Sequence, residues 1–214
     1  MSLLRNQKIR LNEMSNVMFV YNEELALSAG QSGFITESGA YIITISEAKF
    51  TTGKGGACFI EFSGESNDGR KVNYLSVCYK KNDGMDNQYG INMINAIIGC
   101  AGVKQLSYIT KDDNTFIAPE LTGKTVGLVL QKTLRTKKSD GNDTFGFDIR
   151  IPFIAKTSQT LQELKEGKVA ETINNIVSNL KDRDERKKSH NNSNDNCYDS
   201  NMQPNQFDDN FSPF

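Results

Sequence analysis

The chain has 214 residues, with 25 Lys plus Arg against 26 Asp plus Glu and a formal charge of −1. That balance excludes a histone-like polycation and a wholly acidic solvating chain. With 37% apolar residues, no Trp and a mean hydropathy of −0.51, part of the chain has too little apolar surface to pack.

No apolar run reaches the roughly 18–20 residues that span a bilayer, so no membrane association is expected. The polar start MSLLRNQKIRLN lacks the apolar centre of a secretory signal. Cys58, Cys78, Cys100 and Cys197 contain no CxxC pair, and His190 is the single histidine. Those residues argue against a structural zinc site and against a Ser-His-Asp or Cys-His centre. The thiols read as reduced cysteines of a cytoplasmic protein. No cofactor, metal or catalytic residue is expected, and the chain reads as a non-enzyme.

In chain order, Asn16–Tyr21 is a candidate strand or clasp. Tyr41, Ile43 and Ile45 alternate and Phe50 closes a long first strand. Thr51 to Gly56 is a turn; its Gly53-Lys54-Gly55-Gly56 lacks the Ser/Thr and the following helix of a phosphate-cradling loop. Cys58, Ile60 and Phe62 form the next inward face. Asp68-Gly69 is a hairpin signal leading into Val72 to Tyr79. Ile91, Ile94, Ile98 and Ala101 have helical spacing. Asp112-Asp113 and Asp140 to Asp143 sit in polar loops, where turn formation accounts for them. Strands follow at Lys124 to Leu134 and Thr144 to Phe153, joined by the polar loop RTKKSDGNDT.

From residue 158 the spacing turns helical. Thr160-Leu-Gln-Glu163 is a capping box, and Leu161, Leu164, Val169, Ile173, Ile176, Val177 and Leu180 form an apolar stripe interrupted by Gly167. The stripe docks on the body or forms a dimer contact, so a monomer or homodimer is expected. Residues 189–214 are Asn, Asp, Ser and Gln with isolated aromatics, a composition that reads as disordered. They carry four Asp and no Lys or Arg. All 25 cations and 22 of the acids lie before them, which leaves a body of net +3.

Three strands, a helix and two strands is the order of a five-stranded oligonucleotide/oligosaccharide-binding (OB) barrel with its helix between strands 3 and 4. Other small barrels and sandwiches share that order. The expected organisation is an OB-type domain at 1–157, an amphipathic helix and charged linker at 158–188, and an acidic tail at 189–214.

Sequence-tolerant binding of single strands needs flat rings beside cations. Strand parity turns Phe59 away from the Ile60 face and sets Tyr74 and Tyr79 on opposite faces unless a bulge intervenes. Phe145 and Phe147 share parity with Ile149 and Ile151, as core residues would. Lys49 and Lys54 flank the first turn, Lys80 and Lys81 follow the third strand, and Arg135, Lys137 and Lys138 open the last long loop. Arg150 faces away from the Phe145–Ile151 stripe. A phosphate chain crossing these loops would meet several positive charges.

The segment Asp208-Asp209-Asn-Phe211-Ser-Pro213-Phe214 resembles the acidic tip of bacterial single-stranded-DNA-binding proteins. GAYIITISEAKFTTGKGGACFIEFSG, GRKVNYLSV and INMINAIIGCAGVK, within residues 39–104, resemble the single-stranded-DNA-binding proteins encoded by phages, a divergent OB-fold group. The resemblance implies a protein that coats single-stranded DNA in phage replication or recombination, in the cytoplasm of a bacterial host. It also implies that Asp208, Asp209, Phe211, Pro213 and Phe214 recruit replication or recombination proteins and compete with DNA for the basic rim. A virion structural or assembly domain with a docking tail is the alternative, and a recombination nuclease or strand-annealing protein the third reading.

Overall fold

The computed structural model describes residues 19–23, 26, 33–111 and 115–186. The tail from residue 189, its tip, Asp112, Asp113 and residues 16–18 of the Asn16–Tyr21 segment lie outside the described residues. By its contacts the chain divides into Met1–Gln31 and Ser32–Phe214. In the first unit the Ala26 amide donates to the Asn22 carbonyl at 2.9 Å, closing one helical turn.

The second unit is mainly β. β1 (Gly39–Thr52), β2 (Cys58–Ser66) and β3 (Lys71–Lys80) form an antiparallel meander. After α1 (Gln88–Cys100) come the short strands β4 (Ile109–Lys111) and β5 (Thr115–Ile117), a 3₁₀ turn at Pro119–Leu121, and the hairpin β6 (Thr125–Thr136) and β7 (Asp143–Phe153). Two helices, α2 (Leu161–Glu166) and α3 (Thr172–Asn179), and the two-residue β8 (Arg183–Asp184) follow.

The strands make one eight-stranded sheet. β1 pairs with β2 along one edge, and on the other with β6 (Gly39↔Leu130 to Thr44↔Thr125) and then β5 (Phe50↔Phe116). The expected barrel does not close. β3 and β7 form no ladder with each other, and α1 packs against both. The core, built from Ile43, Ile45, Ile60, Phe62, Leu75, Val77, Leu128 and Leu130, lies between the curved sheet and α1.

Bulges set the curvature. Ser46 is the extra residue between the pairs Ile45↔Gly64 and Glu47↔Ser63. On β3, Asn73 and Tyr74 together oppose Ser63. Bulges on β1 and β3 therefore flank one position of β2, where they increase twist and bend the meander. The Ser46 hydroxyl donates to the Ser63 carbonyl at 3.0 Å across the bend.

Two expectations about helices change. α1 buries Gly90, Met93, Ile97 and Cys100, one residue back from the Ile91–Ala101 stripe, because Gly90 lets the helix touch the sheet. A Cβ on Gly90 would lie 1.7 Å from the Cys78 carbonyl oxygen. The single C-terminal helix is instead two, broken where Gly167 takes φ +66 at the end of α2. Ile173, Ile176, Val177 and Leu180 pack with Val129 and Phe153 in a second cluster, while Leu164 and Val169 are exposed.

The capping box is present, and Glu163 does more than cap. One carboxylate oxygen accepts from the Thr160 amide at 2.8 Å and its hydroxyl at 3.0 Å; the other accepts from the Glu171 and Thr172 amides at 2.9 and 2.8 Å. The buried carboxylate thus joins the start of α2 to the start of α3. Burial disfavours its charge, but the backbone N–H donors of Thr172 and Thr160, the Thr172 side chain and the Glu171 N–H outweigh that and hold its pKa at about 2. The expected Asp68-Gly69 turn also forms, with Gly69 at φ +82. There the Arg70 side chain, donating to Asp68 at 2.8 Å, lowers that carboxyl to about 2.

A group with a depressed native pKa stabilises fully above its unfolded value and loses that contribution as pH falls through its native one. Acid unfolding should therefore deepen as pH falls from about 4.5 towards about 2. Glu163→Gln should flatten that limb and cost roughly 2–3 kcal/mol at pH 7, the scale of one or two charge-assisted hydrogen bonds. Urea melts across pH measure both. Gly90→Ala should cost roughly 3 kcal/mol by forcing α1 off Cys78, read in the same melts.

Candidate nucleic-acid interface

The β1–β2 turn closes through Gly53 N–H to Ala57 O at 2.8 Å, with Gly56 at φ +89. Thr52 pairs with Cys58 and Cys58 with Lys80, so this turn lies beside the turn after β3. A Cβ on Gly55 would stand 3.0 Å from the Asn82 side chain. Lys54, Lys80 and Lys81 thereby come to one end of the sheet, all exposed.

At this end Phe50, Thr51, Thr52, Tyr79, Tyr108 and Phe116 line a groove of about 330 Å³. Phe50 meets Tyr79 edge-on with centroids 6.4 Å apart, and Tyr108 meets Phe116 edge-on at 5.5 Å. Tyr79 is itself the extra residue between Cys58↔Lys80 and Phe59↔Cys78, and this bulge turns it to Phe50. Burial, with the Cys58 thiol beside it, raises its phenol pKa above 10, so the ring stays neutral. Tyr108 is 68% exposed and Phe116 42%, leaving ring area for a flat ligand.

Phe59 belongs to this end but not to the groove: it pairs with Thr51 and Cys78 on the strand face opposite Ile60. Lys49 is half-buried and salt-bridged to Glu47 at 3.5 Å; Glu47 also holds Lys111 at 3.2 Å. Tyr74 stands apart in the middle of β3, 78% exposed with φ +60. A tyrosine in the left-handed region costs roughly 1–2 kcal/mol.

The β6–β7 loop carries a second set, and no ladder or described hydrogen bond joins it to the first. Lys137 and Lys138 are exposed without an ion pair among the described residues. Arg135, expected as an open cation, instead pairs with Asp148 at 3.1 Å and Glu185 at 3.4 Å. Arg183 shares both acids, at 2.8 and 2.9 Å, so the network offsets its own charge. The stripe expected from Phe145 to Ile151 is split. Arg150 is the extra residue between Leu130↔Ile149 and Val129↔Ile151, which puts Ile149 in the main core and Ile151 against the second cluster. Phe145 is not a core residue: it is 43% exposed, with the Lys132 ammonium 4.6 Å from its ring centroid.

Three groove residues escaped the sequence reading as ligand contacts: Phe50, read only as the close of the first strand, and Tyr108 and Phe116. The available signal was two rings flanking the polar stretch ITKDDNT. Among the described residues no cluster of three or more His, Cys, Asp or Glu can hold a metal ion. No described helix is long and apolar enough to cross a membrane. No protein-family model matches the chain, and no curated protein matches its sequence.

Tyr74 and Tyr79 should separate on substitution. Tyr79→Ala should lower thermal stability through loss of its contact with Phe50, whereas Tyr74→Ala should leave it near that of the parent. Tyr74→Gly should be about 1 kcal/mol more stable than Tyr74→Ala, because glycine relieves the positive φ. Denaturant melts of the three variants decide it.

Proposed function

We propose that the chain binds single-stranded DNA without sequence preference, coating it during phage replication or recombination. The observation that carries this reading is the groove of Phe50, Tyr79, Tyr108 and Phe116 beside the exposed Lys54, Lys80 and Lys81. Rings accept any base by its face, and nearby ammonium groups meet phosphates whose counterions are released on binding. The described lining, rings and two threonines, supports reading the groove as a binding surface.

The fold reading that accompanies it is an OB-type barrel in an open form. Its supports are the strand order, the helix after the third long strand, and a curved β1 shared between β2 and β6. In an OB barrel the loop after the first strand flanks the ligand groove, and the aromatic groove lies beside that turn. Recruitment of replication or recombination proteins falls to the acidic segment at Asp208–Phe214, and action in the host cytoplasm accompanies this reading.

Fluorescence anisotropy of labelled oligo-dT with the full chain, at several oligonucleotide lengths and salt concentrations, tests the proposal. Affinity should fall steeply with salt. Replacing Lys54, Lys80 and Lys81 with Glu should reduce the log–log salt slope by about 2, since each phosphate contact on a single strand contributes roughly 0.7. Phe116→Ala should weaken binding by ~1–3 kcal/mol, the scale of one stacked base. Lys137→Glu with Lys138→Glu asks whether the strand reaches the second loop: a lower slope extends the path there, an unchanged one ends it at the groove. Absence of salt-dependent binding in the parent favours the virion-domain alternative. Loss of the oligonucleotide on adding divalent metal favours the nuclease.

A further inference from the structure

A second groove, of about 420 Å³, lies where α3 crosses the β6–β7 hairpin. Its charged lining residues are Arg150 and Lys181, and among the described residues no carboxylate lines it. Arg150 is there because the bulge at that position re-aims it out of the strand alternation. Lys181 is held beside the sheet by the Gln131 side-chain amide, which donates to its carbonyl at 2.8 Å. Ile176 and Leu180 supply an apolar side, both half-buried against the second cluster. Asn175 and Asn179 add amide groups. No aromatic ring lines the groove, so it offers a base nothing to stack on. Two cations over an apolar floor suit instead an acidic segment that carries an apolar side chain.

The C-terminal stretch is such a segment, and it is the one joined to this groove through the chain that follows Lys181. Beyond residue 188 there is no Lys or Arg, and Phe207, Phe211 and Phe214 surround Asp208 and Asp209. Asp208 follows Arg186, the last described residue, by 22 positions. Those residues span roughly 75 Å at full extension, ample reach for a groove whose lining includes Lys181, five positions before Arg186. We propose that residues 207–214 dock within the same molecule in this groove, with Asp208 and Asp209 facing Lys181 and Arg150 and a phenylalanine ring against Ile176 and Leu180. The assignment is independent of DNA binding and gives the acidic segment a place away from the aromatic groove.

The absence of Trp provides a clean probe. In the full-length chain, Phe211→Trp places a single reporter on the segment. At low salt its emission should be blue-shifted and protected from acrylamide, independently of protein concentration, and both effects should fade as salt screens the charges. Adding Lys181→Glu should abolish the shift without changing the melting temperature, since Lys181 is exposed. Adding Asp208→Lys alone to that variant should restore part of it, since Asp209 still faces Arg150. Water-like emission in Phe211→Trp overturns the proposal, as does a blue shift that survives Lys181→Glu. A shift that grows with protein concentration places the segment on a second copy and overturns intramolecular docking. Water-like emission together with weaker oligo-dT binding in Lys181→Glu assigns the groove to nucleic acid instead.

Discussion

One strand has to serve two partners on the same edge, and the rest of the sheet depends on its ability to bend. β1 gives its first six residues to β6 and Lys49 and Phe50 to β5, while β2 runs along its opposite edge. A regular strand keeps one face inward throughout. Here Ile43 and Ile45 face the core before the bulge and Ala48 and Phe50 after it, because Ser46 adds one residue and switches the parity. The same switch carries Phe50 to the end of the sheet in register with Phe116. Without it, Phe50 and Phe116 would not share a groove with Tyr79.

The C-terminal part of the unit depends on a charge. α2 has six residues and α3 eight, too short to persist alone. Glu163 accepts N–H donors at the start of both, so one carboxylate of α2 ties the two helix starts together. Ile173 then anchors α3 on Val129 and Phe153. The second groove exists because α3 is pinned at its start by Glu163 and followed by a chain segment tied to Gln131.

Charge is sorted differently at the two loop regions. Around Arg135, four charged groups compensate one another within 3.4 Å. Pairs this exposed contribute little to stability, but they reduce the field that a phosphate would feel. Around the aromatic groove, Lys54, Lys80 and Lys81 have no such partners among the described residues. The two sites are unequal although their lysine and arginine content is similar, and geometry makes the difference.

The amino-acid sequence determined what depends on neighbours a few positions apart. Alternation marked the inward face of Ile60 and Phe62; Asp68-Gly69 marked a hairpin; Thr160 and Glu163 marked a helix start; and the cations at the first turn and after β3 were legible as a set. Tertiary structure alone decided features that rest on pairing between distant segments. A bulge is defined by the register of the strand opposite, so the positions of Tyr79, Tyr74 and Arg150 could not follow from parity. β4 and β5, with three residues each, form only because β1 offers an edge. Asp148 captures Arg183 from 35 positions away, an ion pair that leaves no local pattern. The open gap between β3 and β7 is decided in the same way: α1 seats on Cys78 through Gly90 and packs against both strands, with no ladder formed between them. Local periodicity reports which face of a strand is apolar, while the choice of partner and register is settled by the packing of the whole.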